Sequence, residues 1–206
     1  MTTLDEVFDT FDEDMNWTGT ATRNEVHRFG FWHQTFHCWI LHRDLNDDFL
    51  VLQRRHPSKD IHPNKLDVSC AGHLETHECP LDGVRELREE LGIGIADINL
   101  RKIGIYRHSD RSNGIADNEF CHIFLLVHEN MTLANYRPAW GELSGLYLVR
   151  VDDMRNLCYR VATEILVKGF EMDENGQHLK SVLWITLGDM IEYDISYFEM
   201  LFANLE

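Results

Sequence analysis

Residues 69 to 93, SCAGHLETHECPLDGVRELREELGI, constrain the chain more than any other stretch, because a glycine loop, an acidic helix and a terminating glycine follow one another without a break. Leu81, Val84, Leu87 and Leu91 recur at steps of three and four, which predicts an amphipathic helix from Pro80 to Leu91 with Gly92 as its stop. Glu86, Glu89 and Glu90 fall together on the side away from the leucines, since residues three and four apart are neighbours on a helix surface. Two carboxylates roughly 5 Å apart repel by under about 1 kcal/mol in water and by about 3 kcal/mol at an effective dielectric of about 20. The patch is therefore harmless when solvated and demands a cation when partly buried. Hard divalent ions such as Mg²⁺ take oxygen ligands and suit the second case. Spacing alone leaves both readings open.

The run from Arg85 to Ile93, RELREELGI, resembles the second half of the Nudix box, G-x5-E-x7-R-E-U-x-E-E-x-G-U with U aliphatic, at every specified position. Gly72 and Glu78 resemble the first half, but six residues, Cys79 to Val84, stand between Glu78 and Arg85 where the box has seven. A gap after Glu78 keeps Gly72 and Glu78 in their family places; an earlier gap puts Ala71 and His77 there. The resemblance implies an α/β fold, a Nudix α/β/α sandwich with a mixed sheet, with residues 1–206 as a single domain. The likeness is clearest over 4–150, and 151–206 is expected as a helical C-terminal extension with a hairpin turned at Asn175-Gly176. It further implies Mg²⁺ or Mn²⁺ held by Glu86, Glu89 and Glu90 with the Gly72 carbonyl. Arg85 would orient Glu86, and Glu86 or Glu142 would be the general base.

Thr18-Gly19-Thr20, the histidine-rich lead from His27 to Ile40 and the run Leu52-Gln53-Arg54-Arg55 resemble the isopentenyl-diphosphate-isomerase-like branch, whose members include isomerases and hydrolases. Arg55 and Lys59 match that branch's diphosphate contacts, and the chemistry fits, because a guanidinium fork binds phosphate oxygens bidentately and an ammonium serves as a point charge. Without that context the stretch Arg54 to Lys59 reads as readily as a solvated loop. His33 and His73 resemble two histidines that hold the isomerase's divalent metal, with His27 one residue out of register with a third. Taken singly, each is more often a packed or surface histidine. Glu142, in Trp140-Gly141-Glu142, matches the first acid of the isomerase's W-G-E-x-E signature.

Two reactive groups of the isomerase are missing. Its cysteine directly before the Gly-His pair is Ala71 here, and its second acid, two after Glu142, is Ser144. Cys70 comes one residue early, and in an extended segment that shift turns a side chain to the opposite face. Isomerisation needs an acid and a base on opposite sides of the substrate. Hydrolysis of a diphosphate linkage in a nucleoside diphosphate or related X-diphosphate therefore ranks first and isopentenyl-diphosphate isomerase second. A non-catalytic nucleotide- or diphosphate-binding module is the alternative from a different class.

With 206 residues, 44% of them hydrophobic, the chain is long enough to bury a core as one domain. A net charge of −16 argues against broad nucleic-acid or anionic-membrane partners and makes a local basic cluster the more telling for a small diphosphate substrate. The acidic start MTTLDEVFDTFDED lacks the basic flank and apolar run of a secretory signal, and no stretch is long enough to span a bilayer. Five cysteines without a C-x-x-C spacing fit reduced thiols, so a cytoplasmic protein is expected.

Strands are expected at Leu4–Phe11, Thr35–Leu41, Phe49–Gln53, Ile98–Tyr106, Phe120–Val127 and Gly141–Val149, with a polar loop from His108 to Asn118. Glu119 reads either as a further acid near the metal or as strand-edge surface. Asp152-Asp153 suits the start of a helix carrying Met154, Leu157, Val161 and Ile165, and Met190 to Leu205 reads as a terminal helix. Phe198, Met200, Leu201 and Phe202 are expected to pack a core or a subunit contact such as a homodimer's. No catalytic role is assigned to this tail.

Overall fold

Strand β3 (Trp32–Arg43) is the axis of the sheet in the computed structural model, which describes residues 6–44, 47–94, 98–112, 114–129 and 132–205. Along one edge of β3 runs β8 (Ile115–Glu129), parallel to it from Trp32 opposite Asn118 to Arg43 opposite Glu129. Outside β8 lies antiparallel β7 (Leu100–Ser112). The other edge of β3 meets β1 (Val7–Phe11), β6 (Cys70–His73) and β4 (Asp48–Arg55) in turn. Strand β2 (Trp17–Thr22) pairs β1, and β5 (Leu66–Asp67) pairs β4. Beyond β4 follow β9 (Leu143–Arg150), β10 (Ile165–Met172) and β11 (His178–Ile185). The result is one mixed, mostly antiparallel sheet of 11 strands.

Side chains alternate along β3 and β8, and each face receives its own helical layer. Phe36, Cys38, Ile40, Phe124 and Leu126 pack under α2 (Arg85–Leu91), whose Leu87 and Leu91 are fully buried. Burial of each leucine contributes about 2 kcal/mol. On the other face Trp39, Leu41, Ile123 and Leu125 pack against α3 (Val151–Cys158) and α4 (Ile195–Phe202). A short α1 (Arg23–Phe29) opens with a capping box between Thr22 and Glu25 and ends at a left-handed Gly30. The α/β/α sandwich with a mixed sheet is the observed fold.

Several local expectations change. The predicted loop 108–118 is mostly strand, because β7 and β8 stay paired out to Ser112 opposite Ile115. The predicted helix from Pro80 begins regularly only at Arg85, after a single 3₁₀ turn over Asp82–Val84. Helix α3 stops at Cys158, where Arg160 adopts a left-handed φ of 58° and the amides of Val161 and Ala162 turn back onto the Asn156 carbonyl. Val161 is thereby left 77% exposed, and Ile165 goes to β10. The hairpin turned at Asn175-Gly176 is present, but β10 pairs with β9, so residues 165–185 extend the main sheet. The terminal helix is confined to Ile195–Phe202, behind an Asp194 cap. Of the expected strand from Leu4, Leu4 itself lies outside the described residues. No helix among the described residues is long and apolar enough to cross a membrane.

Candidate active site

A cleft of about 370 Å³ opens where the end of β6 meets α2, the loop after β4 and the segment before α4. Helix α2 presents Glu86 and Glu90 to it, four residues apart on one face. A Cβ on Gly72 would overlap the Glu86 carboxyl group, so any larger residue here would displace that side chain from its place against β6. Arg85 ties the loop to the helix. Its Nε and Nη2 donate to the two Glu78 oxygens at 2.8 and 3.0 Å, Nη2 also to the His73 carbonyl at 3.0 Å, and Nη1 to Glu86 Oε1 at 2.5 Å. Arg85 thereby bridges Glu78 and Glu86 across the turn that follows Glu78.

Burial drives the electrostatics of this wall. It lifts Glu86 to about 7, partly opposed by Arg85 and reinforced by Glu89 and Glu142. It lifts Glu90 to about 8, with Glu86 the second cause, while Glu90 Oε2 accepts the Ala71 amide at 3.2 Å. Of the Glu86 and Glu90 carboxylates, only Glu86 pairs with a guanidinium among the described residues, a shortage of positive charge that a divalent ion with oxygen ligands would balance. Glu89 does not line the cleft; it stands at the rim with its side chain 48% exposed, 3.3 Å from Arg85 Nη1 and 3.7 Å from Arg88 Nη2.

Across the cleft stand the predicted substrate contacts. The Arg55 guanidinium donates to the Ile61 carbonyl through Nε (3.2 Å) and Nη2 (3.0 Å), and its Nη1 lies 3.4 Å from Asp67 Oδ2. Lys59 forms an ion pair with Glu142. Both basic residues, Gly141 and Glu142 line the same space as Glu86 and Glu90.

On the far side of β6 the three histidines converge. His27, His33 and His73 each place a ring nitrogen within 4.8 Å of the others, and His33, Asp117 and Glu119 meet the same limit. Asp117 Oδ1 is 3.6 Å from both His27 Nε2 and His33 Nε2, and Glu119 Oε1 is 3.9 Å from His33 and from His73. His27 Nε2, His33 Nε2, His73 Nε2 and Asp117 Oδ1 are buried with no hydrogen-bond partner among the described residues. Burial holds His27 at about 4 and His33 at about 3, both neutral, and raises Asp117 to about 6. His33 Nδ1 donates to the Phe31 carbonyl at 3.1 Å, which leaves the Nε2 lone pair facing the acids. Four orphaned polar atoms facing one another, drawn from imidazole and carboxylate, fit a divalent cation.

The isomerase comparison changes register here. The acids beside the histidines are Asp117 and Glu119, whereas Glu142 pairs with Lys59 and Ser144 bonds only the Arg54 and Arg55 carbonyls, at 3.4 Å each. Ala71 lines the cleft, and Cys70 points the other way into the core under α2. His27 joins the cluster despite its offset because α1, not an extended lead, carries it. Asp117 went unread because the sequence placed it in a loop; alternation continued back from Cys121 through Glu119 reaches it on the same face.

The NUDIX domain family matches this chain over residues 32–170. An uncharacterized Nudix hydrolase of Clostridium acetobutylicum is 34% identical over 201 residues, which cover 98% of this chain and 97% of that protein. An isopentenyl-diphosphate Delta-isomerase of Kocuria rhizophila is 32% identical over 135 residues, 65% of this chain and 71% of the enzyme. A solved structure from Deinococcus radiodurans superposes with a TM-score of 0.58 at 20% identity, covering 85% of this chain and 93% of that one. A MutT/nudix family protein from Enterococcus faecalis superposes at 0.52 with 14% identity, covering 81% and 59%. At those identities the two structures speak for the fold alone.

Proposed function

The chain belongs to the Nudix family and is a pyrophosphohydrolase acting on diphosphate-containing substrates; from that premise we propose that it hydrolyses, with Mg²⁺ or Mn²⁺, the diphosphate linkage of a nucleoside diphosphate or related X-diphosphate. The observation that carries this reading is the pairing of a buried Glu90 with a half-buried Glu86 beside Gly72, in a cleft that also holds Arg55 and Lys59. Glu86 and Glu90 with the Gly72 carbonyl, and Glu89 from the rim, would hold a divalent ion, which would polarise phosphoryl oxygens and make water a better nucleophile. Arg85 fixes the Glu86 carboxylate. Glu86, oriented by Arg85, would accept the proton of the attacking water, and Glu142 is the alternative base from the opposite wall. Arg55 and Lys59 offset the charge that grows on the phosphoryl oxygens. The histidine pocket holds a second divalent cation in this reading. A cytoplasmic location is supported by the five free cysteines.

The isomerase reading draws on the histidine pocket and on relatives that bear that name. It lacks a reactive side chain at Ala71. One experiment separates the readings: incubation with Mg²⁺ or Mn²⁺ and a panel of nucleoside diphosphate derivatives plus isopentenyl diphosphate. Metal-dependent release of a phosphate-containing product is expected. Formation of the dimethylallyl isomer would favour the isomerase, and no turnover on any member would leave a binding module.

A further inference from the structure

The segment between β11 and α4 lies beyond the residues that the family match covers, yet its Ile191 and Tyr193 line the cleft. Tyr193 stacks on Tyr197 with ring centroids 4.2 Å apart and planes 16° apart, and meets Tyr106 edge-on at 6.3 Å. Its hydroxyl donates to Asp67 Oδ1 at 3.0 Å. Asp67 is 2% exposed, and the same oxygen takes the Val68 amide at 2.8 Å while Oδ2 faces Arg55 Nη1 at 3.4 Å. The opposite flank of the guanidinium is pinned by the Ile61 carbonyl. Of the five N–H groups of an arginine, one on each terminal nitrogen is left, a pair suited to two phosphate oxygens. Burial beside Asp67 pushes the Tyr193 hydroxyl well above its usual range, so it stays a donor.

The geometry points to Tyr193 as a positioning residue: acting through Asp67, it sets the plane in which Arg55 presents its free edge to a diphosphate. This rests on the proposed use of Arg55 as a phosphate contact. Without the hydroxyl, Asp67 Oδ1 keeps only a backbone anchor, and the carboxylate is free to turn onto Arg55 with both oxygens. That rotation would draw the free edge away from the substrate. The segment given no role from the sequence thus completes the substrate-binding wall.

Tyr193→Phe removes the hydroxyl and keeps the ring stack. Isothermal titration of the full chain with methylenediphosphonate and Mg²⁺ is expected to show binding weakened about tenfold, the order of a hydrogen bond serving a charged group. The melting temperature is expected to move by less than about 3 °C. In an Arg55→Gln background the same change is expected to weaken binding no further, and once Asp67→Asn is in place Tyr193→Phe is expected to add nothing. Unweakened binding by Tyr193→Phe, or an equal loss in both backgrounds, would overturn the inference. Wild-type protein that binds the probe but hydrolyses nothing would sink the hydrolase reading and leave this network standing. No binding by the wild type would sink both.

Discussion

The two donor sets that flank β6 reach the same cleft by opposite routes. The α2 wall, Gly72, Glu78, Arg85, Glu86 and Glu90, comes from one continuous run and is assembled by a loop and a two-turn helix. The histidine pocket needs α1, β3, β6 and β8 to meet before any of its members has a neighbour. Their electrostatics differ as well. Burial raises the carboxylates of the α2 wall to about 7 and 8, so that without a cation they hold protons close to neutrality, whereas it lowers His27 and His33 to about 4 and 3, leaving neutral rings with idle lone pairs. One wall calls for a hard cation near a phosphate; the other resembles a cage for a more tightly held imidazole-bound ion. The comparison teaches that two donor sets opening on one cleft need not share a role.

If the α2 wall runs the chemistry, Glu86→Gln should produce the largest effect. A several kcal/mol loss of transition-state stabilisation corresponds to a fall of at least about 10³-fold in turnover, with circular dichroism and melting unchanged in form. Glu89→Gln, at the rim, should cost less. His33→Ala should come next, losing one equivalent of bound metal by elemental analysis and at least about tenfold in activity. An equal or greater loss than Glu86→Gln would reverse the proposed division between the walls.

The smallest effect is in stability. Glu86 and Glu90 have folded pKa values of about 7 and about 8 against the usual 4.5, so the folded chain holds protons that the unfolded chain has released. Their contribution is complete below about pH 4.5 and is lost as pH rises through 7 and 8. Mg²⁺ favours the ionised forms and offsets that loss. The lowered histidines run the other way, with stability gained as pH rises from about 4 towards 6.5, which is largely complete before pH 8. The Mg²⁺-induced rise in melting temperature should therefore be larger at pH 8 than at pH 6, by about 2–4 °C for each kcal/mol. Calorimetry at the two pH values checks this, and Glu86→Gln/Glu90→Gln should remove the difference.

Legibility in the sequence followed the same division. Leu87, Leu91, the Glu86 and Glu90 pair and the Gly92 stop could be read directly from i, i+3 and i, i+4 spacing, and with them the fold, whereas Glu89, expected beside that pair, stands at the rim and Leu81 is exposed ahead of the helix. Arg55 and Lys59 were legible as a basic cluster, and the structure puts both in the cleft. What escaped depends on tertiary contact. Asp117 looked like loop because its strand carries polar residues on the face it turns to the cleft. Tyr193 reads as part of a terminal helix, because the partner of its hydroxyl, Asp67, stands 126 residues away in the sequence. The helix expected through Val161 failed because sequence periodicity does not register a left-handed residue such as Arg160.

Turnover of a hydrolysed panel member in ¹⁸O-enriched water, with Mg²⁺ present and the products weighed by mass spectrometry, bears most directly on the claim that water attacks phosphorus beside Glu86 and Glu90. One ¹⁸O atom is expected on a single phosphate-containing product, with no label entering when Glu86→Gln replaces the wild type. Label on a carbon-bound oxygen, or undiminished labelling by the Glu86→Gln protein, would contradict it.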